Sequence, residues 1–572
     1  MISIKDVELV YGQPAHALLS DHTFLTLWRR LLEGCSYATA FQTPGFVGAW
    51  YEAYRSEWQP LIALSRGPDR DLVGLWFLAH DSTTGTLVHA GTDQAEYQTW
   101  LALPGEDASF LSAAWRALRL RFRVSKLQLK YLPAAELVDT LQRVPGMEGR
   151  VIVSRHRRPL LTLDPADLKA SFAKKSNKSR FNRLKKLGPL EFRRITDPVE
   201  LERVLDELIA YYDLRHGAVH DSLLFRNDPH RRAFHAAMFA GLASDVYVTV
   251  TYVNGTPIAA FWGAASRKTV HLGMIVHSPV LAQHSPGKLH IMQLSELLLQ
   301  EGREVLDLTP GDDAWKERFA SAHDEVAEAV LYGSRWARAT EGALQGLKNW
   351  GKRYAAVVGV TPVRVRETVS RLRRARVASV LRNIGHLICT RREFRVYRAE
   401  RTLAEARQYD ERVHCNALSD LVAFEPAESW QTRARFLSSA LQRLERGESV
   451  YTVKIDDRLA HSGWLVANQS ESCMTEVQQS LSLPPGSVLL NNFYTDPQFR
   501  GRGLYRTTIG HMLRTAFADA GTRYAYIGVL ADNRPSRHVI EAAGLEYQRS
   551  YFLRRCLGAE RKWVHPMLGA TE

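Results

Sequence analysis

A chain of 572 residues is too long for one hydrophobic core and predicts roughly three or four domains. With 45% hydrophobic and 24% charged residues it reads as ordinary globular protein, and no run of ~18 apolar residues predicts a membrane span. The formal net charge of +14 is concentrated: residues 335–395 hold 15 Lys and Arg against three Glu, a net +12, so the remainder is close to neutral and a nucleic-acid-binding role for the whole chain is not supported. Five cysteines (Cys35, Cys389, Cys415, Cys473, Cys556) without a CxxC pair fit neither a disulfide framework nor a zinc site, and predict a reducing compartment. The charged N-terminus MISIKDVELV lacks the apolar stretch of a secretory signal, so a cytoplasmic location is expected.

Residues 1–160 mix a helix-like stretch, HTFLTLWRRLLEG, with strand-like runs, LVGLWFLAH and KLQLKYL, and read as an α/β unit. A basic helix-like segment follows at 171–188, then the strand LEFRRI and two amphipathic helices. VYVTVTYV alternates, turns at Asn254-Gly255 and returns as PIAAFWGAA, which predicts a hairpin. A third strand, TVHLGMIV, leads to HSPGKLHIMQLSELLLQEG and EVLDLTPGDDAWKERF. Residues 335–396, with helix-like spacing, form a basic connector, and its interleaved Trp336, Trp350 and Tyr354 fit an RNA surface or peripheral contact with an anionic membrane. From 397 the pattern resumes, with SVYTVKI, LAHSGWLVA, CMTEVQQS and SVLLNNFYT as strands, a helix over LYRTTIGHMLRTAFADAG, the strand YAYIGVLA, the helix NRPSRHVIEAAG and a last strand YQRSYFLRR. The order meander, turn, helix, strand occurs twice, so the predicted boundaries are 1–160, 161–334, 335–396 and 397–572.

Between the strand and helix of the later copy lies Gln498-Phe-Arg-Gly-Arg-Gly503. A glycine-rich turn opening a helix aims several N–H groups at one spot near the positive end of the helix dipole, and Arg500 and Arg502 add charge, so the stretch is a candidate phosphate cradle. The spacing resembles the Q/R-x-x-G-x-G/A turn of the GNAT superfamily of N-acyltransferases, and Asn533, Ser536 and Gly544 stand where that superfamily has its second motif. The resemblance implies an α/β (α+β) fold of tandem GNAT-like acyltransferase domains, each a mixed, mostly antiparallel sheet flanked by helices. It further implies that Gln498, Arg500, Gly501, Arg502 and Gly503 hold the pyrophosphate of acetyl-CoA or another acyl-CoA, with Asn533 near the thioester. Where many members have a tyrosine that protonates the leaving thiolate, this chain has Ile540, which leaves Tyr526 or Ser536 as candidate donors, direct release of the thiolate, or binding without turnover.

The run His284-Ser-Pro-Gly-Lys-Leu289, with Leu306-Asp-Leu-Thr-Pro-Gly-Asp-Asp-Ala-Trp-Lys316, SNKSRFNRLKKLG and FQTPGFVGAWYEAY, resembles CelD-type acyltransferases of cellulose and exopolysaccharide synthesis, relatives of the Fem transferases, over about 40–335. That resemblance places Gly287 and Lys288 at a second pyrophosphate turn and has Asp307, Asp312 and Lys316 face the substrate.

Transfer to an amine needs the neutral amine, although a typical aliphatic amine has a pKa near ~10, so a base is required. Glu476, read as lying on the strand before the turn, and His538 are the candidates, with Tyr526 as an acid. Four histidines, His216, His220, His230 and His235, do not share one helical face with acidic partners, so no metal is expected, and no Ser-His-Asp order is visible. The leading reading is an acyl-CoA-dependent N-acyltransferase acting on a small-molecule amine or amino sugar of surface-polysaccharide or envelope metabolism, with no stable nucleic-acid partner. The alternatives are an acyl-CoA-sensing adaptor, motivated by Ile540, and a Fem-like transferase using aminoacyl-tRNA.

Overall fold

The computed structural model describes residues 6–242, 245–311, 313–340, 389–405, 409–427, 431–556 and 559–566, so most of the basic connector lies outside the described residues. The chain divides into two compact units, one of Met1–Leu208, Leu224–Ser278 and His284–Arg353, the other of Ile209–Leu223, Pro279–Gln283 and Tyr354–Glu572.

The first unit holds two sheets. A five-stranded antiparallel sheet is built from Glu8–Tyr11, Gln59–Arg66, Leu72–His80, Leu87–His89 and Leu101–Ala102. The second has eight strands, and at its centre lie β1 (Val246–Val253), β2 (Thr256–Ser266), β3 (Thr269–His277) and β4 (Val305–Asp307). Its other strands, Lys126–Leu132, Ala322–Tyr332 and Val151–Thr162 beyond β4 and Leu190–Ile195 beyond β1, are antiparallel to their neighbours; only β3 and β4 run parallel. The β-branched run of β1 and the positive φ of Asn254 (49°) and Gly255 (76°) make the β1–β2 hairpin as the sequence predicts. One apolar cluster containing Trp76, Trp100, Trp115, Leu127 and Leu331 joins the five-stranded sheet to the first strands of the larger one. At about 1.5–3 kcal/mol for each large side chain buried, this shared core holds the two sheets together.

Four helices cover one face near the β3–β4 pair: α1 (Pro165–Ala173), α2 (Lys175–Lys185), α3 (Pro286–Gln300) and α4 (Ala314–Phe319). The basic segment read as one helix is two, because Lys174 is extended (ψ 125°) and breaks it, with Asn177 turning its amide back onto the Ser171 carbonyl at 2.8 Å.

The second unit repeats the plan. Its eight-stranded sheet contains β5 (Arg458–Val466), β6 (Ser487–Thr495) and β7 (Tyr524–Leu530), and only β6 and β7 are parallel. α5 (Leu504–Ala518) and α6 (Arg534–Ala542) follow β6 and β7 and pack on one face through Ile509, Met512, Leu513 and Ile540. On the other face sits a two-stranded hairpin, Glu471–Met474 and Gln479–Ser482. This corrects the reading of CMTEVQQS as one strand: Met474 and Val477, three apart, both bury against the sheet, which requires the chain to turn between them. Both units are thus mixed, mostly antiparallel sheets flanked by helices. Cys556 is in a disulfide, contrary to the expectation from cysteine spacing; it stands opposite Cys389 across two paired strands, a neighbourhood invisible in linear spacing.

Candidate functional site

In the second unit β6 and β7 pair only from Ser487↔Tyr524 to Leu490↔Ile527. Beyond that point β6 pairs with β5 alone, through a register shift at Ser462/Trp464, and Asn492 takes a φ of 50°. The two strands therefore fork, and the backbone of β6 past Leu490 is available on its β7 side.

The turn at the end of β6 is built on a buried carboxylate. Asp496 accepts from the Gln498 N–H (2.9 Å) and pairs with Arg458 (3.1 Å). Gly501 and Gly503 both have a φ of 77°, and no side chain caps α5. Its first amides thus face exposed ground flanked by Arg500, which reaches the Thr495 carbonyl (3.4 Å), and Arg502, whose guanidinium lies 5.1 Å from the Phe499 ring. The structure brings Gln498, Arg500, Gly501, Arg502 and Gly503 together in one exposed turn with the electrostatics an anion needs.

The other candidates are spread out. Asn533 caps α6, its side chain accepting from the Ser536 N–H (3.2 Å). Ile540 is fully buried in the core. Tyr526 faces away from α5, packed with Leu489, Met474 and Val477, and burial raises its phenol pKa against the opposing charge of Arg398. His538 is exposed on α6. Glu476 lies in the turn of the small hairpin, not on a sheet strand. Tyr526, His538 and Glu476 therefore do not converge.

Two groups at the fork went unread in the sequence. Tyr505, in the first turn of α5, places its hydroxyl 3.1 Å from Ser536 Oγ in the first turn of α6, spanning the fork on its helix side. Its ring packs on Phe493 at 4.5 Å, and burial pushes the phenol up to about 12. His461, on β5, is fully buried with Nδ1 2.8 Å from Thr495 Oγ1, and desolvation lowers it to about 3, so the imidazole is neutral. A lone histidine in the apolar strand LAHSGWLVA was the available signal.

The first unit has the same fork. β3 and β4 pair over Thr269↔Val305 to His271↔Asp307, and past His271 β3 pairs with β2 across a register shift at Trp262/Gly263. α3 opens after Ser285, which is left-handed (φ 55°) and makes no side-chain cap. A Cβ on Gly287 would stand 3.1 Å from His277 Nδ1, so that residue serves close packing. Lys288 is half-buried, and its pKa is lowered by burial first and then by Arg180 and Lys174.

Asp307 does not face a substrate. It is fully buried and shared among Tyr97 (2.6 Å), His271 Nδ1 (2.9 Å), Arg158 (3.5 Å) and the Thr309 N–H (2.8 Å). Burial pushes its carboxyl up, but His271, Arg158 and Tyr97 more than offset this and hold it below the usual value. His271 Nε2 is in turn 2.9 Å from Ser266 Oγ, which accepts from the Ala40 N–H (2.6 Å). A Ser–His–Asp chain thus exists in space, formed by parallel pairing of residues 36 apart, although no such order stands out in the sequence. With its serine held by Ala40 and its carboxylate by Tyr97 and Arg158, it is a strut across the unit. Lys316 is likewise buried, donating to the Thr309 and Pro310 carbonyls (3.2 Å each), and Asp312 lies outside the described residues.

Comparison with known proteins agrees with the doubled plan. Residues 171–317 match an acetyltransferase (GNAT) domain model, and residues 415–545 match the model of the acetyltransferase (GNAT) family. No curated protein matches the chain. Among solved structures, the C-terminal domain of a putative lysylphosphatidylglycerol synthetase from Agrobacterium fabrum is 12% identical, covering 56% of this chain and 95% of that one (TM-score 0.36). FemX is 10% identical over 53% and 95% (TM-score 0.36). A tandem GNAT protein from the clavulanic acid biosynthesis pathway is 13% identical over 64% and 98% (TM-score 0.21).

Proposed function

We propose that the chain, which carries two GNAT acetyltransferase domains, is a cytoplasmic N-acyltransferase that takes its acyl group from acetyl-CoA or a longer acyl-CoA. The observation that carries the reading is the fork of β6 from β7 beneath the uncapped start of α5. When bound, the thioester supplies an acyl carbon open to attack by an amine. The amides of α5, with Arg500 and Arg502, hold the phosphates; the freed edge of β6 takes the amide-bearing arm. The Tyr505–Ser536 hydroxyl pair stands in for the acid lost at Ile540: the Tyr505 O–H gives its proton to the departing sulfur and regains one from the amine through solvent. The acceptor in this reading is an amine or amino sugar of surface-polysaccharide or envelope metabolism. Gly287 and Lys288 hold a second donor turn in the first unit.

Calorimetric titration of the full chain with coenzyme A and acetyl-CoA tests it. Binding is expected, and Gly503→Trp, which fills the open ground before α5, should weaken it at least about tenfold. Equal binding by the variant would remove the cradle.

A second reading rests on Ile540, which lies in the core and cannot reach a ligand. The second unit is then a sensor that binds acyl-CoA without turnover. Release of thiol on mixing acetyl-CoA with an amine panel would exclude it.

A further inference from the structure

One end of the second unit's sheet carries a row of cations. The last three strands there are Cys389–Glu400, Glu546–Cys556 and Ala559–Pro566, in that order, with Ala559–Pro566 at the edge. The register sets Arg391 opposite Arg554 and Arg554 opposite Arg561, so three arginines cross three strands in line. Residues directly opposite in antiparallel strands share a face, and at ~4.8 Å between strands the row is ~10 Å long. All three are exposed, and none forms an ion pair among the described residues. Glu393, on the same face, is already engaged by Arg395 (2.8 Å) and Ser550 (2.9 Å).

Aromatic rings hold two of the guanidiniums instead. Two residues along on that face, Phe552 and Trp563 stack with centroids 5.0 Å apart; Arg391 lies 5.3 Å from the Phe552 centroid and Arg561 5.8 Å from that of Trp563. A ring steadies a guanidinium without neutralising it or occupying its N–H donors. Like charges directly opposite one another destabilise a sheet, and guarding a free edge against pairing accounts only for Arg561, because Arg391 and Arg554 lie on inner strands. The row therefore calls for an anion, and forked donors in line match a series of phosphates.

The reverse face decides what carries those phosphates. Arg392, Arg555 and Lys562 are exposed there, with Glu560 reaching Arg555 (2.5 Å) and Lys562 (3.9 Å). The edge is thus cationic on both faces. A bilayer is a plane and can meet only one of them, and on the row's face Phe552 is buried and Trp563 half-buried, so neither ring projects to enter it. A flexible chain of phosphodiesters can follow the row and turn round the edge. We propose that this end of the second unit binds single-stranded nucleic acid, with successive phosphates on Arg391, Arg554 and Arg561 and the strand passing round Ala559–Pro566 toward Arg555 and Lys562. Total charge conceals such a site, since its three segments come together only by strand pairing. The row shares no residue with the turn from Gln498 to Gly503, so the site goes beyond the acyltransferase reading and does not rest on it.

Fluorescence anisotropy of labelled oligo(U) and oligo(dT), about ten nucleotides long, with the full-length protein tests the proposal. Saturable binding of at least one is expected, and their comparison tells whether the 2′-hydroxyl is read. Affinity should fall roughly 20-fold between about 50 and about 200 mM salt, as three neutralised phosphates require. Arg554→Gln breaks the row at its middle and relieves a repulsion, so it should melt no lower than wild type while binding weakens about tenfold. Arg391→Gln, on another strand, should weaken binding to a similar degree. Undiminished binding by both variants would place the contact in the basic connector and overturn the proposal. So would equal affinity for the same sequence as a duplex, or sedimentation with phosphatidylglycerol vesicles in the absence of any oligonucleotide binding. Displacement of the oligonucleotide by coenzyme A would also overturn it, by making the row part of the donor site.

Discussion

The two forks differ most on the face away from their helices. There the last pair before the strands part is His271 with Asp307 in the first unit, and Leu489 with Tyr526 in the second. The first pair is locked in a buried network with Tyr97, Arg158 and Ser266; the second sits in an apolar cluster under the small hairpin. One architecture thus tolerates a charged or an oily vertex, provided each polar atom finds a partner. The chemistry of either fork therefore has to come from the turn and the first helical turns rather than from the vertex.

The largest expected effect separates the two vertices directly. Asp307→Ala leaves His271, Arg158 and Tyr97 without their shared acceptor and should cost about 3–5 kcal/mol, whereas Leu489→Ala should cost about 2–3 kcal/mol. Hydrogen exchange, read separately in the two larger sheets, measures both; a cost under about 1 kcal/mol for Asp307→Ala would mean the network contributes nothing net. Next in size is Tyr505→Phe. It removes a hydroxyl and no packing, so turnover should fall about a hundredfold while stability stays close to wild type. Unchanged thiol release would take Tyr505 out of the mechanism and leave the second fork without an acid.

The smallest effect is a difference in acid sensitivity. The first unit buries His235 and His290, both lowered from 6.5 to about 3 by desolvation, and the second buries His461 likewise. Because the unfolded imidazole takes up its proton first, the stability linked to each is complete above about pH 6.5 and is lost as pH falls toward 3. Each group contributes about 1.4 kcal/mol per pH unit in that window, so the first unit should lose stability more steeply on acidification. Exchange rates in the two sheets between pH 6.5 and 5 check the ordering, which His290→Gln should reduce.

Much of the fold could be read from local chemistry. Asn254-Gly255 required a tight hairpin, the glycines before α5 announced a strand-to-helix turn, and the periodicity of α5 and α6 located both helices. What escaped depends on contacts between distant residues. His271 and Asp307 become partners only when β3 and β4 pair in parallel, and Tyr505 gains meaning only once α6 lies beside α5. Glu476 was misplaced because the linear pattern does not show that Met474 and Val477 bury on the same side; only the sheet beneath them reveals this, and with it the turn that carries Glu476. The exposed turn itself, Gln498 to Gly503, was legible because its capping by Asp496 and its two glycines at positive φ are local, and only the Arg458 partner of Asp496 comes from a distant strand.

Glycine stands in both turns for different reasons, and the difference bears on how each could evolve. At Gly287 the backbone is ordinary and room is short; at Gly503 a Cβ would meet nothing within 4 Å, and only handedness is at stake. A constraint of handedness is softer, because asparagine visits the left-handed region readily. The second turn can therefore accept Gly503→Asn and keep its path, offering a side-chain amide to a new anion, while a side chain at 287 meets the His277 ring and requires that ring to shift.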